Sequence, residues 1–234
     1  MICRIADFTG EFKNTSPQFE KNLSKYQCDA TPQVVFTKTD DDIKEVESRH
    51  DIPLDPLAIE KTVFYNKFID WLPVNDTLFF HASLIEVFGQ VVAFTALSGT
   101  GKTTHTFLWQ RLLGDKMQIV NGDKPIIRFF DDTPYAYGSP WCGKENLSTN
   151  TKVPLKHICF IERSETNSCE EITPPEALNS GIFNQVLIPR NAGGAVVTLG
   201  LIDRLLKQCK LWKIKCNMDI SAAEVAYNTI FGVK

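Results

Sequence analysis

Residues Ala96-Leu97-Ser98-Gly99-Thr100-Gly101-Lys102-Thr103-Thr104 read "ALSGTGKTT". They sit between an unbroken apolar run, "GQVVAFTAL" (89–97), and a stretch with helical spacing, "KTTHTFLWQRLLG" (102–114). Two glycines let the backbone curl so that N–H groups converge on one point. A lysine adds positive charge, and the hydroxyl after it suits a hard cation. A helix that starts there contributes the positive end of its dipole. The combination predicts a loop that cradles phosphate, lined by Ser98, Gly99, Thr100, Gly101, Lys102, Thr103 and Thr104. One position departs from the pattern GxxxxGK[ST]: Ala96 stands where the first glycine is usual. Alanine resists positive φ but accepts extended backbone. Little is lost if the strand simply runs on to Ala96.

Downstream, "QIVNGDKPIIR" reads as a short strand ending in an acid, Asp123, 21 residues after Lys102. An acid at that edge can face the loop and bind Mg²⁺ or take a proton from an attacking hydroxyl. "NGDK" is also a good turn sequence, in which Asp123 has no further part. Upstream, His81 lies in "LFFHASLIE", read as an apolar strand, and on pattern alone it is a core histidine. "YGSPWCGKENLS" (137–148) does not suit a regular strand. Its Lys144 reaches a phosphate or belongs to an ordinary surface loop.

The remaining chain alternates strand and helix signals, an α/β pattern. "ICRIADFTGEF" and "PQVVFTK" are expected strands, with "SPQFEKNLSKY" a polar link between them. "DDDIKEVESRH" and "LAIEKTVFYNKFIDWLP" are expected helices. "TLFFHASLIEVFGQVVAFTAL" reads as two strands turning near Phe88-Gly89-Gln90. Strands are expected at "KPIIRFF", "YAYGSPW", "HICFIERS" and "KLWKIKC", and helices at "TPPEALNSGIFNQV", "AVVTLGLIDRLLKQC" and "ISAAEVAYNTIF". Residues 1–75 are expected to form a strand-rich lobe packed on a 76–234 core, the two making one integrated domain.

Composition excludes several classes of function. A net charge of −3 with no basic run gives no general attraction to nucleic acid or an anionic membrane. The 43% hydrophobic content is that of a globular protein, and no apolar run approaches the roughly 20 residues that span a bilayer. Seven cysteines at irregular spacing, with no CxxC, match neither a disulfide framework nor a zinc site. Charges within the first seven residues argue against a secretory signal, so a cytoplasmic location is expected.

The segment "HASLIEVFGQVVAFTALSGTGKTTHT", followed by "NGD", resembles the core shared by HPr kinase/phosphorylase and ATP-dependent phosphoenolpyruvate carboxykinase. "LSGTGKTT" is especially similar to the carboxykinase loop. The resemblance spans roughly residues 76–150, and more weakly 195–231 looks like the tail of small HPr-kinase-like proteins. It implies a mixed β-sheet core carrying a P-loop, and ATP with Mg²⁺ or Mn²⁺ as cofactors. It implies that Lys102, Asp123 and His81 are catalytic, with His81, Thr103 and Asp123 toward the metal. Lys144 inherits a nucleotide-phosphate contact. The implied reaction moves the γ-phosphate to a hydroxyl: a serine of a protein or peptide, or a small metabolite. A homo-oligomer is also implied.

The departures from the family are specific. Lys124 replaces the second acid of the family's Asp pair, which admits a nucleotide-binding regulatory module without transfer as the rival reading. The carboxykinase's substrate-carboxylate arginine and second metal-binding lysine have no counterpart here. The Arg- and Gly-rich C-terminal signature of HPr kinases is absent as well. Arg190, in "LIPRNAGGA", is the one arginine in a comparable setting, as a catalytic cation or a turn residue.

Overall fold

The computed structural model describes residues 1–233; Lys234, the end of the expected core, lies outside them. The chain opens with a hairpin of β1 (Ile2–Ile5) and β2 (Phe8–Lys13), joined through Ala6 and Asp7 with positive φ. Then come α1 (Pro17–Leu23), β3 (Val34–Thr37), which runs parallel to β2, α2 (Asp40–Glu47) and α3 (Pro56–Trp71).

Two expectations fail in this lobe. "SPQFEKNLSKY" is helical rather than a link. Ser16 caps α1 by accepting from the Phe19 N–H, Pro17 occupies the first turn, and Phe19 and Leu23, four apart, are buried together. The lobe also carries more helix than strand, because α3 alone runs for sixteen residues. Asp55 caps α3, accepting from the N–H groups of Leu57 and Ala58.

The rest comprises β4 (Thr77–Phe80), β5 (Ser83–Val87), β6 (Gln90–Thr95), α4 (Lys102–Leu113), β7 (Met117–Asn121), β8 (Ile126–Phe130), β9 (Thr133–Tyr137), β10 (Lys152–Arg163), β11 (Ser168–Glu171), α5 (Pro174–Asn179), β12 (Val186–Leu187), α6 (Ala192–Gln208), β13 (Lys210–Cys216) and α7 (Ile220–Phe231). β11 and β12 were not foreseen from the sequence; both are short edge strands.

The architecture is mixed α/β. One large sheet runs in the order β12-β4-β8-β9-β10-β6-β5-β7, with β13 pairing both β10 and β11. β10 serves two neighbourhoods. Lys152–Pro154 pair antiparallel with β9, and from Leu155 on the strand lies parallel to β6 and β13.

β6 is buried on both faces, which explains its unbroken apolar reading. Val91 and Ala93 pack with Leu201, Ile202 and Leu205 of α6. Val92 and Phe94 pack with Trp109 of α4 and Ala222 and Ala226 of α7. A third core is aromatic and straddles residue 75. Phe12, Phe19, Phe64 and Phe68 meet Phe79 and Tyr137 from the sheet and Trp141 from the loop after β9. Among the described residues, no helix is long and apolar enough to cross a membrane. All seven cysteines are free.

Candidate functional site

The site follows from strand directions. β5 is antiparallel to both β6 and β7, so β6 and β7 run the same way with β5 between them. The carboxyl ends of β6 and β7 therefore meet the beginning of β5 at one sheet edge. In open α/β sheets, ligand crevices form at the carboxyl ends of strands. That edge carries the glycine-rich loop after β6, Asp123 after β7, and His81 just before β5.

His81 is not inside a strand, contrary to expectation. The apolar run breaks at His81–Ala82, where the chain passes from β4, paired with β8 and β12, to β5, paired with β6 and β7. Three hydrogen bonds, two between backbone groups and one from a side chain, fix this crossing. The His81 N–H donates to the Gln185 carbonyl (2.6 Å), the Ala82 N–H donates to the Asp123 carbonyl (3.0 Å), and the His81 carbonyl accepts from Thr95 Oγ1 (3.1 Å).

In the loop, Gly99 (φ +77°) and Gly101 (φ +125°) hold backbone conformations that side chains rarely adopt, with open space where a Cβ would stand. They are required for conformation rather than for room. Ala96 is not among the positive-φ residues. Lys102 opens α4, is 8% exposed, and its Nζ donates to the Ala96 carbonyl at 2.9 Å. Burial lowers the pKa of this ammonium; Asp123 opposes the shift and Lys124 adds to it.

Asp123 lies two residues past the end of β7 rather than on it. Its side chain is 25% exposed and both oxygens are engaged: Oδ1 lies 3.2 Å from His81 Nε2, and Oδ2 accepts from Lys124 Nζ at 2.7 Å. Burial pushes this carboxyl up, but the His81 hydrogen bond and the Lys124 ammonium outweigh it and hold the pKa at about 2. Buried Asn121 anchors the backbone. Its Oδ1 accepts from the Asp123 N–H (2.9 Å), and its Nδ2 donates to the Ser139 carbonyl (3.1 Å). Ser139 in turn donates to the Lys124 carbonyl (2.5 Å). Gly143, at φ +80°, lets the following loop close over the acid, since a Cβ there would sit 3.2 Å from Asp123 Cβ.

Three clefts line up along this edge. The central one, about 410 Å³, is lined by His81, Ser98, Lys102, Thr103, Asp123 and Lys144, with Gly99, Gly101 and Thr104. A second, about 590 Å³, shares Gly99, Gly101 and Thr104 and continues past Thr100 to Arg163, Cys216 and Met218. A third, about 390 Å³, shares Asp123, Gly143 and Lys144 and is walled by Lys61, Tyr65 and Trp141. Every residue singled out in the loop thus borders the central or the second of these adjoining clefts, and His81, Asp123 and Lys144 border the central one; the three clefts, linked by shared lining residues, make up the groove. The central cleft sets two ammonium groups (Lys102 and Lys144), several hydroxyls and two carboxylates (Asp123 and Glu145) around the same space, an arrangement suited to holding and transferring an anion together with a cation.

Arg190 is not in the groove. It pairs with Glu45 of α2, and its N–H donates to Asp70 Oδ1 at 3.2 Å. Arg163, unnoticed in the sequence, is placed at the groove because β10 runs parallel to β6. Its guanidinium donates to the carbonyls of Thr100 (3.1 Å) and Gly99. Lys61 and Tyr65, from α3, were equally unmarked. Among the described residues, no group of three or more His, Cys, Asp or Glu is placed to hold a metal ion by itself.

No protein-family model matches the chain, and no curated protein does. Among solved structures, the HPr(Ser) kinase/phosphatase from Coxiella burnetii is similar at 12% identity and a TM-score of 0.29, over 55% of this chain and 90% of that one.

Proposed function

We propose that this chain is an ATP-dependent phosphotransferase that moves the γ-phosphate to a hydroxyl. The observation that carries the reading is the groove. The glycine-rich loop with Lys102 and the acid Asp123 border one cleft, and that cleft shares lining residues with another on either side. A nucleoside lies along the Arg163 side, the phosphates in the centre, and the acceptor beyond Asp123. In this reading the loop is a P-loop. Ser98 to Thr104 cradle the phosphates, Lys102 draws charge from the γ-phosphate, and Lys144 closes on the phosphates from the opposite wall. Residues 1–75 and the core act as one integrated domain, joined by the shared aromatic cluster.

Phosphoryl transfer depends on positioning and charge stabilisation. The acceptor oxygen bonds to Pγ as the bond from Pγ to the bridging oxygen breaks. ADP leaves with that electron pair, and the hydroxyl proton departs by way of Asp123. A carboxylate held at about 2 is a weak base. Its part is to orient the hydroxyl and receive the proton late, once bonding to phosphorus has made that proton acidic.

Mg²⁺ fits the donors present. It is commonly held by one or two protein oxygens, several waters and the substrate phosphates. Thr103 and Asp123 offer such oxygens on one cleft, with His81 beside them. When bound it neutralises charge on the phosphates.

The test compares wild type with Lys102→Ala under Mg²⁺ and γ-labelled ATP. Lys102→Ala is expected to cut transfer by about 10³-fold or more with little change in thermal stability. Full turnover in Lys102→Ala ends the proposal. One observation favours a second reading, a nucleotide-binding module without transfer: Lys124 occupies Asp123 Oδ2. That reading expects ATP to bind without being consumed, and Lys124→Asp to switch transfer on.

A further inference from the structure

The third cleft has a chemistry of its own. Its floor is the Asp123–Lys124 pair and its rim is Lys144. Its far wall is one face of α3, where Ala58, Lys61, Thr62, Tyr65 and Asn66 recur at helical spacing. Trp141 ties the two walls together, its Nε1 donating to the Lys61 carbonyl at 2.9 Å.

Three lysines border this space against one carboxylate. Among the described residues, neither Lys61 nor Lys144 forms an ion pair with a carboxylate, and Lys124 pairs only with Asp123. Tyr65 is 9% exposed, yet its hydroxyl has no hydrogen-bond partner. An unmet buried donor is uncommon and costly unless a ligand supplies the acceptor. Burial, and then the nearby Asp123 charge, push the Tyr65 pKa up, so the phenol keeps its proton and remains a donor.

We infer that this cleft is the acceptor subsite and that it takes a small alcohol carrying its own anionic group, a carboxylate or a phosphate, rather than a serine within a protein. The inference rests on the phosphotransferase reading. The anion is met by Lys61 and Lys124, and Tyr65 donates to it. As Lys124 turns to the anion, Asp123 Oδ2 is released for the acceptor hydroxyl. Lys124 in place of a second acid is then a specificity device: the reaction is licensed by an acceptor that brings the charge Lys124 needs. The volume, about 390 Å³, matches a small molecule.

The test supplies γ-labelled ATP and Mg²⁺ with three pools from a bacterial extract, separated beforehand. These are macromolecules, small molecules retained on an anion exchanger, and small molecules that pass through it. ATP binding is measured separately by displacement of a fluorescent ATP analogue. Label is expected only with the retained pool. Lys61→Gln should raise the amount of that pool needed for half-maximal labelling about tenfold, the loss of a charged hydrogen bond. Tyr65→Phe should raise it severalfold while leaving the melting temperature equal or higher, because it removes an unpartnered polar atom. Pretreating the retained pool with alkaline phosphatase separates the two anions: label lost means a phosphate ester, and label kept means a carboxylate.

Label only in macromolecules or in the unretained pool overturns the inference and leaves the phosphotransferase standing. So does half-saturation unmoved by Lys61→Gln. ATP binding with no label in any pool overturns the acceptor subsite in favour of the binding module. No ATP binding ends both readings at once.

Discussion

Ala96 occupies the position where a glycine is usual, and its backbone explains why it can. It lies at the end of β6 without positive φ, and its carbonyl receives the Lys102 ammonium. Restoring glycine adds freedom to the unfolded chain without relieving any strain. Ala96→Gly is therefore expected to destabilise the fold by about 0.5–1 kcal/mol in urea titration, with ATP affinity within about twofold of wild type. A large gain in affinity would show that alanine distorts the loop. The loop was legible in the sequence because its parts are contiguous: glycines, lysine and hydroxyl act through backbone they themselves shape. His81 was legible only in part. Its neighbourhood read as a strand, and nothing in "LFFHASLIE" announces that pairing partners change at His81 and turn its ring to Asp123.

At the scale of elements, β10 does the most to build the groove. Lying parallel to β6, it carries Arg163 to the same edge as the loop, where the guanidinium holds the carbonyls of Gly99 and Thr100. Arg163→Gln is expected to weaken ATP binding about fivefold by displacement of a fluorescent analogue, while stability changes by less than about 1 kcal/mol because the side chain is exposed. Unchanged affinity would reduce Arg163 to a surface contact. Strand existence was largely readable here, whereas partner choice was not. "HICFIERS" marks β10 but cannot say which strand lies beside it, since parallel pairing joins residues far apart in the chain. α1 shows the reverse: its Ser-Pro start and the Phe19–Leu23 pair were local signals, hidden by a polar composition.

Across the whole molecule, the N-terminal lobe is bound to the sheet by more than the aromatic cluster. Asp7, at the β1–β2 turn, accepts from the Tyr137 hydroxyl (2.6 Å) and pairs with Lys152 Nζ (3.0 Å). Burial pushes the Asp7 pKa up, but the Tyr137 hydrogen bond and Lys152 outweigh it and the net shift is downward. A carboxyl lowered in the folded state stabilises above its unfolded value of about 3.9, and that contribution is lost as pH falls through the folded value. Asp7→Asn keeps a residue that tolerates positive φ. Its unfolding free energy at pH 7 should lie below wild type by no more than about 1 kcal/mol given the exposure of both partners, and the gap should begin to narrow below about pH 4 and close as pH falls through the folded value. A gap that does not narrow at all between about pH 5 and the acid limit of folding would mean that charge is not its source.

The sequence by itself determined the α/β alternation, the loop from Ser98 to Thr104, and the candidate acid at Asp123. These rest on local periodicity and on residues adjacent in the chain. Only the tertiary structure decided that β6, β7 and β10 end at one edge, that His81 meets Asp123, and that Lys61 and Tyr65 of α3 wall the neighbouring cleft. Those relations join residues dozens of positions apart. They are set by which faces bury each other, and no local pattern records that choice.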